Sequence, residues 1–228
     1  MTTGKLESEA WKELYLADVQ RERRMRAMPA KMARLGLKGV SRDAKILDLC
    51  CGSGETLVTL YEMGFRDLSG VDLTIPDDVI HDTRFNIGRG DALDTRLPAN
   101  QYDWVLNVHA MHHFASARSV DRFLEEACRL LKPGGKLGII DFSNTPQIRL
   151  AFWFFRQNVG LITPYLKYFG KLIQEEWYFL EEYLRQWPQI RSILRNDRFR
   201  IISQRRTLFY FYLVLQKPFY AEARAQSK

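Results

Sequence analysis

The sequence predicts a single α/β domain built on a doubly wound, mostly parallel sheet. Short apolar runs and amphipathic helical segments alternate over residues 44–142, which is typical of a parallel sheet covered by helices on both faces. A chain of 228 residues, 46% of them hydrophobic, can bury one sizeable core and holds one domain with an insertion rather than two full domains. The pattern changes after residue 142, so we place the insertion in the second half of the chain.

Periodicity and turn residues predict the elements of the first half. Residues 8 to about 35 predict a helix, residues 55–63 predict a second helix that ends at Gly64, and Ser119 is expected to cap a third. Strands are expected at short apolar or β-prone runs, which are residues 45–49, 68–73, 84–87, 103–108 and 136–142.

The second half predicts a helical insertion followed by a pair of closing strands. Residues 145–187 are rich in Trp, Phe and Tyr at helical spacing, and residues 199–215 predict two strands, the second at 207–215. An insertion after the fifth strand would overhang the carboxyl edge of the sheet, so we interpret it as a substrate lid rather than only a helical core. The single domain, residues 1–228, then comprises an N-terminal helical segment, an α/β core, an aromatic helical lid and closing strands, at residues 1–40, 41–142, 143–190 and 191–228.

Composition predicts a soluble, cytoplasmic protein. The three cysteines, two of them adjacent, cannot form a disulfide framework, and the N-terminus carries acids instead of an apolar signal segment. The most apolar stretches, residues 150–155 and 208–215, are too short to span a membrane. The net charge is +7 and both ends of the chain are basic, which would also suit peripheral contact with an anionic membrane. The alternative is that these arginines are ordinary solvent-exposed residues on the outer faces of terminal helices.

A glycine-containing turn after the first strand predicts a site for an adenosine-containing ligand. The strand ends near Asp48, and the turn that follows holds Gly52 and Gly54 before the next helix. Glycines let the backbone pass close to a ligand at the helix N-terminus. The second strand ends in Asp72, where a carboxylate can accept hydrogen bonds from both hydroxyls of a ribose.

Two details favour S-adenosylmethionine over a dinucleotide. Leu57 occupies the position where the dinucleotide fingerprint requires its third glycine after Gly52 and Gly54. A carboxylate at the start of the turn, Asp48, would also lie badly beside a pyrophosphate. It suits a ligand that carries an ammonium and a sulfonium.

Five separated segments resemble the successive motifs of the class I S-adenosylmethionine-dependent methyltransferases. They are residues 46–54, 70–73, 90–93, 102–105 and 130–135. The resemblance implies a Rossmann-like α/β sheet of seven strands, mostly parallel and with the last strand antiparallel, together with S-adenosyl-L-methionine as the cofactor. It also implies methyl transfer by in-line displacement, for which the protein mainly holds the two reactants in line.

The resemblance also assigns roles within the site. In that family the residues that match Asp48, Gly52 and Gly54 hold the methionine part of the donor, and the match to Asp72 binds the ribose. The segment past the fourth strand lines the methyl-donor site, and the residues after the third strand border the adenine. The residues expected to bind the cofactor are therefore Tyr15, Asp48, Cys50, Gly52, Gly54, Asp72, Leu73, Asp91, Ala92, Asn107 and Val108.

Within the superfamily, three segments look most like the quinone C-methyltransferases of ubiquinone, menaquinone and phylloquinone synthesis. They are residues 50–54, 90–94 and 141–143. The chain departs from that group after the fourth strand, where residues 109–114 replace a Gly-Leu-Arg-Asn-type segment. The likeness implies a small apolar acceptor, such as a quinol, a phenol or another aromatic or lipid-like metabolite.

Three histidines emerge just past the fourth strand, beside the expected ligand edge. His109, His112 and His113 are the candidate catalytic residues, as a general base or as a clamp on the acceptor; the alternative is a structural role. Because consecutive helical residues point about 100° apart, at most one of the last two is expected to face the acceptor. With His81 as the remaining histidine and no Cys or acid at ligand spacing, the sequence predicts no metal site.

Two other function classes remain as alternatives. A nucleic-acid or protein methyltransferase would suit the pI near 9.4, but residues 107–110 lack the Asn/Asp-Pro-Pro-aromatic segment of enzymes that methylate base amino groups, so nucleic acid is disfavoured. A non-catalytic donor-binding protein is disfavoured because the ligand motifs are intact. The sequence leaves the oligomeric state open.

Overall fold

The computed structural model describes residues 18–114, 116–157, 164–195 and 197–219. The helices are α1 (Asp18–Arg34), α2 (Glu55–Glu62), α3 (Asp77–Ile80), α4 (Ala117–Leu130), α5 (Pro146–Arg156) and α6 (Pro164–Ile193), with short 3-10 turns at Leu37–Gly39 and Met111–His113. The strands are β1 (Ile46–Leu49), β2 (Leu68–Asp72), β3 (Asn86–Arg89), β4 (Tyr102–Val108), β5 (Leu131–Phe142), β6 (Arg200–Arg206) and β7 (Tyr210–Gln216). Tyr15, which was expected to contact the cofactor, lies outside the described residues.

Seven strands form one sheet in the order β3-β2-β1-β4-β5-β7-β6. β1 pairs in parallel with β2 and β4, β2 pairs in parallel with β3, and β4 does so with β5. β7 is antiparallel to both of its neighbours, β5 and β6. The expected Rossmann-like sheet of seven strands, mostly parallel and with an antiparallel last strand, is thus confirmed.

Helices cover both faces of the sheet, which is why its central strands consist of nearly continuous apolar residues. On one face, α1 and α2 bury Met32 and Leu57 in the same cluster as Ile46 of β1. On the other face, α4 and the lid helix α6 bury Phe123 and Leu180. Burying a side chain of this size stabilises the fold by about 1.5–3 kcal/mol, so the helical layers hold the strands in place.

Helix α4 begins earlier than the sequence predicts. Ser116, and not Ser119, is the N-cap residue: the Oγ atom of Ser116 accepts a hydrogen bond from the backbone N–H of Ser119 at 3.1 Å. The expectation that Ser119 caps this helix is therefore wrong, because Ser119 already lies in the first turn and supplies the donor. Both serines suit the cap, and periodicity alone does not choose between them.

Strand β5 is longer than predicted. The strand expected at residues 136–142 begins at Leu131, so the segment from Lys132 to Gly135 lies inside β5, and the register with β4 shifts between Tyr102 and Trp104. Pro133 has no backbone N–H to donate, so within a sheet it is tolerated at such an irregularity. The proline and glycines of this segment are typical of a turn, and in the structure they coincide with the shift in register between β4 and β5.

The insertion after β5 forms two helices that rest on the end of that strand. The hydroxyl group of Tyr183 donates a hydrogen bond to the carbonyl oxygen of Phe142 at 3.0 Å, and the rings of Phe142 and Phe152 meet edge to face at 5.2 Å. The insertion is therefore part of the core and packs at the carboxyl end of β5. Within the described ranges, no helix is long and apolar enough to cross a membrane.

Gly70 of β2 allows the turn after β1 to lie close to the sheet. A Cβ atom on Gly70 would lie 2.8 Å from Sγ of Cys51 and 2.9 Å from Cδ1 of Leu57. We predict that Gly70→Ala lowers the free energy of unfolding by about 1–3 kcal/mol through overpacking. Gly88→Ala in the adjacent strand β3 is the control, because in the described part of the chain its added Cβ meets no atom within 4 Å beyond its sequence neighbours. Urea denaturation measures both variants, and equal stability of the two would contradict this packing.

Candidate active site

The carboxyl ends of β1, β2, β4 and β5 meet at one edge of the sheet. The chain moves outward from β1 to β2 and β3 and then returns to the other side of β1 with β4. The strand order therefore reverses between β1 and β4, and open α/β sheets bind ligands in the crevice outside such a switch point. The turn after β1 and the segment after β4 border this crevice.

The turn between β1 and α2 is built from residues in the left-handed backbone region. The φ angle is 66° at Cys50, 48° at Gly52 and 72° at Gly54. Because Cys50 carries a Cβ atom, this conformation costs about 1–2 kcal/mol there. Among the described residues, a Cβ built on Gly52 meets no atom within 4 Å, whereas one on Gly54 would lie 3.1 Å from Cγ1 of Val79. The turn thus leaves room for a ligand on the side of Gly52, at the N-terminus of α2.

Asp72 at the end of β2 supports this turn and keeps acceptor capacity. One carboxylate oxygen accepts a hydrogen bond from the backbone N–H of Gly52 at 2.8 Å, and the other accepts from Thr74 at 2.9 Å. A carboxylate has about four lone-pair sites, so two remain for hydroxyl donors such as those of a ribose. Burial raises the pKa of Asp72, while the N–H groups of Thr74 and Gly52 oppose that shift.

Asp48 places a second carboxyl group beneath the turn. Asp48 is 1% exposed, and its Oδ1 atom has no hydrogen-bond partner among the described residues. Burial and the charge of Asp72 raise the pKa of Asp48 well above its usual value. A positively charged ligand would lower the pKa of Asp48 again, because its charge stabilises the ionised form of both neighbouring carboxyl groups. This pair therefore fits S-adenosylmethionine, which carries an ammonium and a sulfonium.

The expected adenine side lies where β2 and β3 end. The backbone N–H of Gly90 donates to the carbonyl oxygen of Asp72 at 2.9 Å, which draws the loop after β3 towards the end of β2. Asp91 follows on the surface and Ala92 is buried, while Leu73 is an apolar side chain that remains 54% exposed. An exposed leucine beside these residues is available to cover an apolar ring.

The two predicted residues at the end of β4 lie next to the point where the strand order reverses. Nδ2 of Asn107 donates a hydrogen bond to the carbonyl oxygen of Leu49 at 3.0 Å, and the Asn107 side chain is fully buried. Asn107 therefore links β4 to β1 at the point where the strand order reverses, next to the crevice. Val108 is half-buried against the apolar cluster on the α1 side of the sheet.

An ion pair connects α1 to the start of α2, directly after the glycine turn. The guanidinium group of Arg24 contacts both carboxylate oxygens of Glu55, with its shortest distance 2.6 Å, and Nη1 of Arg24 donates to the hydroxyl oxygen of Tyr168 at 3.1 Å. Glu55 is the first residue of α2, directly after the glycine turn. Arg24 thus joins α1, α2 and the lid helix α6 around the turn.

His109 begins the segment after β4 and points towards α1. Its φ angle is 57°, and its Nε2 atom lies 2.7 Å from Nζ of Lys31. Burial lowers the pKa of His109 well below its usual value, and the charge of Lys31 adds to this shift. Burial also lowers the pKa of Lys31, to about 8. The ring of Tyr210 packs against His109 with ring centres 4.7 Å apart, so His109 is held in place on two sides.

His112 is bonded to a buried carboxylate. Its Nδ1 atom lies 2.8 Å from Oδ1 of Asp141, and its backbone N–H donates to Oδ2 of the same residue at 3.0 Å. Both side chains are almost completely buried. Burial alone would lower the pKa of His112, but the charge and hydrogen bond of Asp141, with Glu176 nearby, raise it to about 10. In this arrangement His112 is a charged group rather than a free base at neutral pH.

His113 lies beside His112 rather than pointing away from it. The centres of the two imidazole rings are 4.2 Å apart, and Nε2 of His113 lies 4.0 Å from Oε1 of Glu176. Burial, together with the neighbouring His112, lowers the pKa of His113 to about 4. The 3-10 turn at Met111–His113 therefore directs both rings towards the lid helix.

The structure adds residues to the site that sequence reasoning missed. Asp141 occurs in a segment recognised from the quinone enzymes, but its bond to His112 was not foreseen. Glu176 stands in an aromatic helix and shows no motif, and Lys31 and Arg24 stand among many basic residues of α1. Their roles depend on packing between distant segments, which no local pattern indicates.

Comparison with known proteins agrees with this architecture. The chain matches the family model described as a methyltransferase domain over residues 19–206. A demethylmenaquinone methyltransferase of Bacillus licheniformis is 26% identical over 171 residues, which are 69% of this chain and 69% of that protein. A solved structure from Pyrococcus horikoshii OT3 has 18% sequence identity and a TM-score of 0.60, and the match covers 92% of this chain and 99% of that one. The 1,6-didemethyltoxoflavin-N1-methyltransferase of Burkholderia thailandensis, solved with S-adenosylhomocysteine, has 19% identity and a TM-score of 0.58, with coverage of 94% and 88%.

We predict that Asp72→Ala weakens binding of S-adenosylhomocysteine by about ten- to hundredfold. The loss of a charged hydrogen-bond acceptor typically costs about 1.5–3 kcal/mol, which corresponds to that range. Isothermal titration calorimetry measures the affinity, and Asp82→Ala is the control because Asp82 pairs with Arg84 in the loop before β3. Unchanged affinity in Asp72→Ala would show that the ribose lies elsewhere.

Proposed function

The chain belongs to the methyltransferase-domain family, and from this premise we propose that it methylates a quinol-like aromatic acceptor. It is an S-adenosylmethionine-dependent methyltransferase, as its five motifs predict. The quinol-like acceptor is supported by relatives named demethylmenaquinone methyltransferases, of which one is 30% identical over 157 residues. The structural observation that carries the proposal is an aromatic enclosure around polar groups, next to the donor crevice.

The donor half of the site is formed by the carboxyl groups and glycines of the sheet edge. When bound, S-adenosylmethionine supplies an electrophilic methyl group on a positively charged sulfur. Asp48 and Asp72 would offset its positive charges, and Asp72 would accept from the ribose hydroxyls. The left-handed backbone at Gly52 and Gly54 would let the chain approach the methionine part closely. Leu73 would cover the adenine.

The acceptor half is aromatic with a few polar groups, which is the usual composition of a small-molecule site. The ring of Phe142 lies 5.2 Å from the ring of His112, and the ring of Phe179 lies 5.4 Å from that of His113. The imidazoles and the carboxylate of Glu176 can hold a hydroxyl group, while the phenylalanines pack on a ring. A quinol offers both features in one molecule.

We assign His112 and His113 to the acceptor side of the reaction and His109 to the donor side. His112 and His113 clamp the acceptor, since both rings are held between β5 and the lid helix. His109 positions the crevice wall through Lys31 and borders the donor. Helix α6 covers the site and excludes water from it, which strengthens the polar contacts made inside.

The chemistry of a quinol gives a direct test of the acceptor. The hydroxyl groups of a quinol donate electron density to the ring carbons, whereas a quinone ring is electron-poor. We predict that the enzyme transfers labelled methyl groups from S-adenosylmethionine to a prenylated 1,4-naphthoquinol and not to the corresponding quinone. Extraction and mass spectrometry of the product measure this. Bound donor with no transfer to any quinol, but with transfer to a small polar acceptor, would refute the proposed acceptor.

The exposed face of α5 supports a further part of the proposal, which is peripheral contact with an anionic membrane. Leu150, Trp153 and Phe154 are 57%, 51% and 41% exposed, and exposed Arg149 and Arg156 belong to the same helix. Apolar side chains flanked by arginines suit the interface of an anionic bilayer. A lipid-like acceptor would reach the lid from this side. The free cysteines of the described chain suit a reducing compartment, so we place the enzyme at the cytoplasmic side.

We predict that the protein sediments with phosphatidylglycerol vesicles at low salt and less so at high salt. Trp153→Ser should weaken this binding about tenfold, because it removes an apolar anchor of about 1.5–3 kcal/mol. Phe219→Ser is the matched control, since Phe219 is 53% exposed but lies beside Gly134 at the opposite edge of the sheet. Equal binding of the two variants, or no binding by the parent protein, would exclude this surface.

A further inference from the structure

Glu176 of the lid helix faces the two histidines that follow β4. One ligand atom from each of His112, His113 and Glu176 lies within 4.8 Å of the other two. Nε2 of His112 is 3.6 Å from Oε2 of Glu176, and Nε2 of His113 is 4.0 Å from Oε1 of Glu176. Two imidazoles and one carboxylate therefore converge from two different elements.

A second carboxylate fixes the orientation of the first imidazole. Asp141 accepts a hydrogen bond from Nδ1 of His112 at 2.8 Å, which leaves Nε2 directed at Glu176. That Nε2 atom is buried and has no hydrogen-bond partner among the described residues. Metal-binding histidines almost always donate their other ring N–H to a carboxylate, a carbonyl or a water in this way. Asp141 therefore occupies the position of the carboxylate that orients a metal-binding histidine.

The distances are close to those of a three-ligand metal site. Ligand atoms about 2.1 Å from a tetrahedral metal are roughly 3.4 Å from one another. The two distances to Glu176, 3.6 and 4.0 Å, need only small side-chain adjustments to reach this value. The glutamate lies on the lid and the histidines on the sheet edge, so a slight closure of the lid would bring them together.

Burial makes a cation favourable at this point. His112, Asp141 and Glu176 are 2%, 0% and 7% exposed, so two carboxylates share a nearly dry cluster. Burying carboxylates is costly unless positive charge lies beside them, and here that charge is the imidazolium of His112 or a bound ion in its place. A divalent ion would offset both charges at once.

We propose that His112, His113 and Glu176 bind a divalent first-row transition metal, and that Asp141 positions His112 for it. A set of two histidines and one glutamate suits Zn²⁺ with an open coordination position, and also Fe²⁺. Mg²⁺ prefers oxygen ligands and does not suit this set. The ion links the segment after β4 to α6 and thereby holds the lid on the sheet. Its open position would take a hydroxyl oxygen of the acceptor; this last point rests on the proposed function.

Cobalt titration tests the site directly. Co²⁺ added to the chelator-treated protein is expected to give the visible absorption of a four- or five-coordinate nitrogen and oxygen site, and Zn²⁺ but not Mg²⁺ should abolish it. His113→Ala and Glu176→Gln should each weaken Co²⁺ binding at least tenfold, and Asp141→Asn by about 10- to 100-fold. His81→Ala is the control, because His81 is exposed and outside the cluster. Parental Co²⁺ affinity in His113→Ala and Glu176→Gln would overturn the proposal.

The shift in Tm on addition of Zn²⁺ distinguishes the loss of metal binding from simple instability of a variant. A hundredfold excess of Zn²⁺ over its Kd should raise the Tm of the parent and of His81→Ala by roughly 5–10 °C, and should leave the Tm of His113→Ala and Glu176→Gln nearly unchanged. An unchanged Tm of the parent would overturn the proposal. Calorimetry with S-adenosylhomocysteine should give parental donor affinity in all variants. Metal binding without transfer to any quinol would remove only the acceptor assignment, so the two proposals fail separately.

Discussion

The reversal of strand order between β1 and β4 is the constraint on which the rest of the site depends. Because five parallel strands end at one edge, the glycine turn, Asp72, Asn107 and the histidine segment come from distant parts of the chain yet border one crevice. The hydrogen bond between Asn107 and Leu49 and that between Asp72 and Gly52 hold the walls of this crevice at fixed spacing. The order of the strands in the sheet therefore determines where the candidate donor crevice lies.

Helix α6 meets the rest of the candidate site through two polar contacts. Arg24 connects Glu55 at the glycine turn with Tyr168 of α6, and the histidine cluster meets Glu176 of the same helix. The lid is thus attached both beside the donor turn and beside the expected acceptor. Polar contacts in such an enclosed place are stronger than in water, provided that each group finds a partner.

The sequence predicts what depends on neighbours along the chain and misses what depends on packing. The strand, turn and acid pattern from Asp48 to Asp72 is local, so the fold class and the donor-binding turn follow from it. The choice between Ser116 and Ser119 as the helix cap is also local, but both residues suit the position, so propensity does not decide it. Glu176 meets His113 only because α6 folds back over the sheet, so no spacing along the sequence reveals the cluster.

A crystal structure of the complex with S-adenosylhomocysteine tests the central claim most directly. We expect the ribose hydroxyls to contact Asp72, the adenine to lie against Leu73, and the sulfur atom to face His112 and His113 beneath α6. Binding at another edge of the sheet, or a sulfur atom turned away from the histidines, would show that the strand-order reversal does not define the donor site.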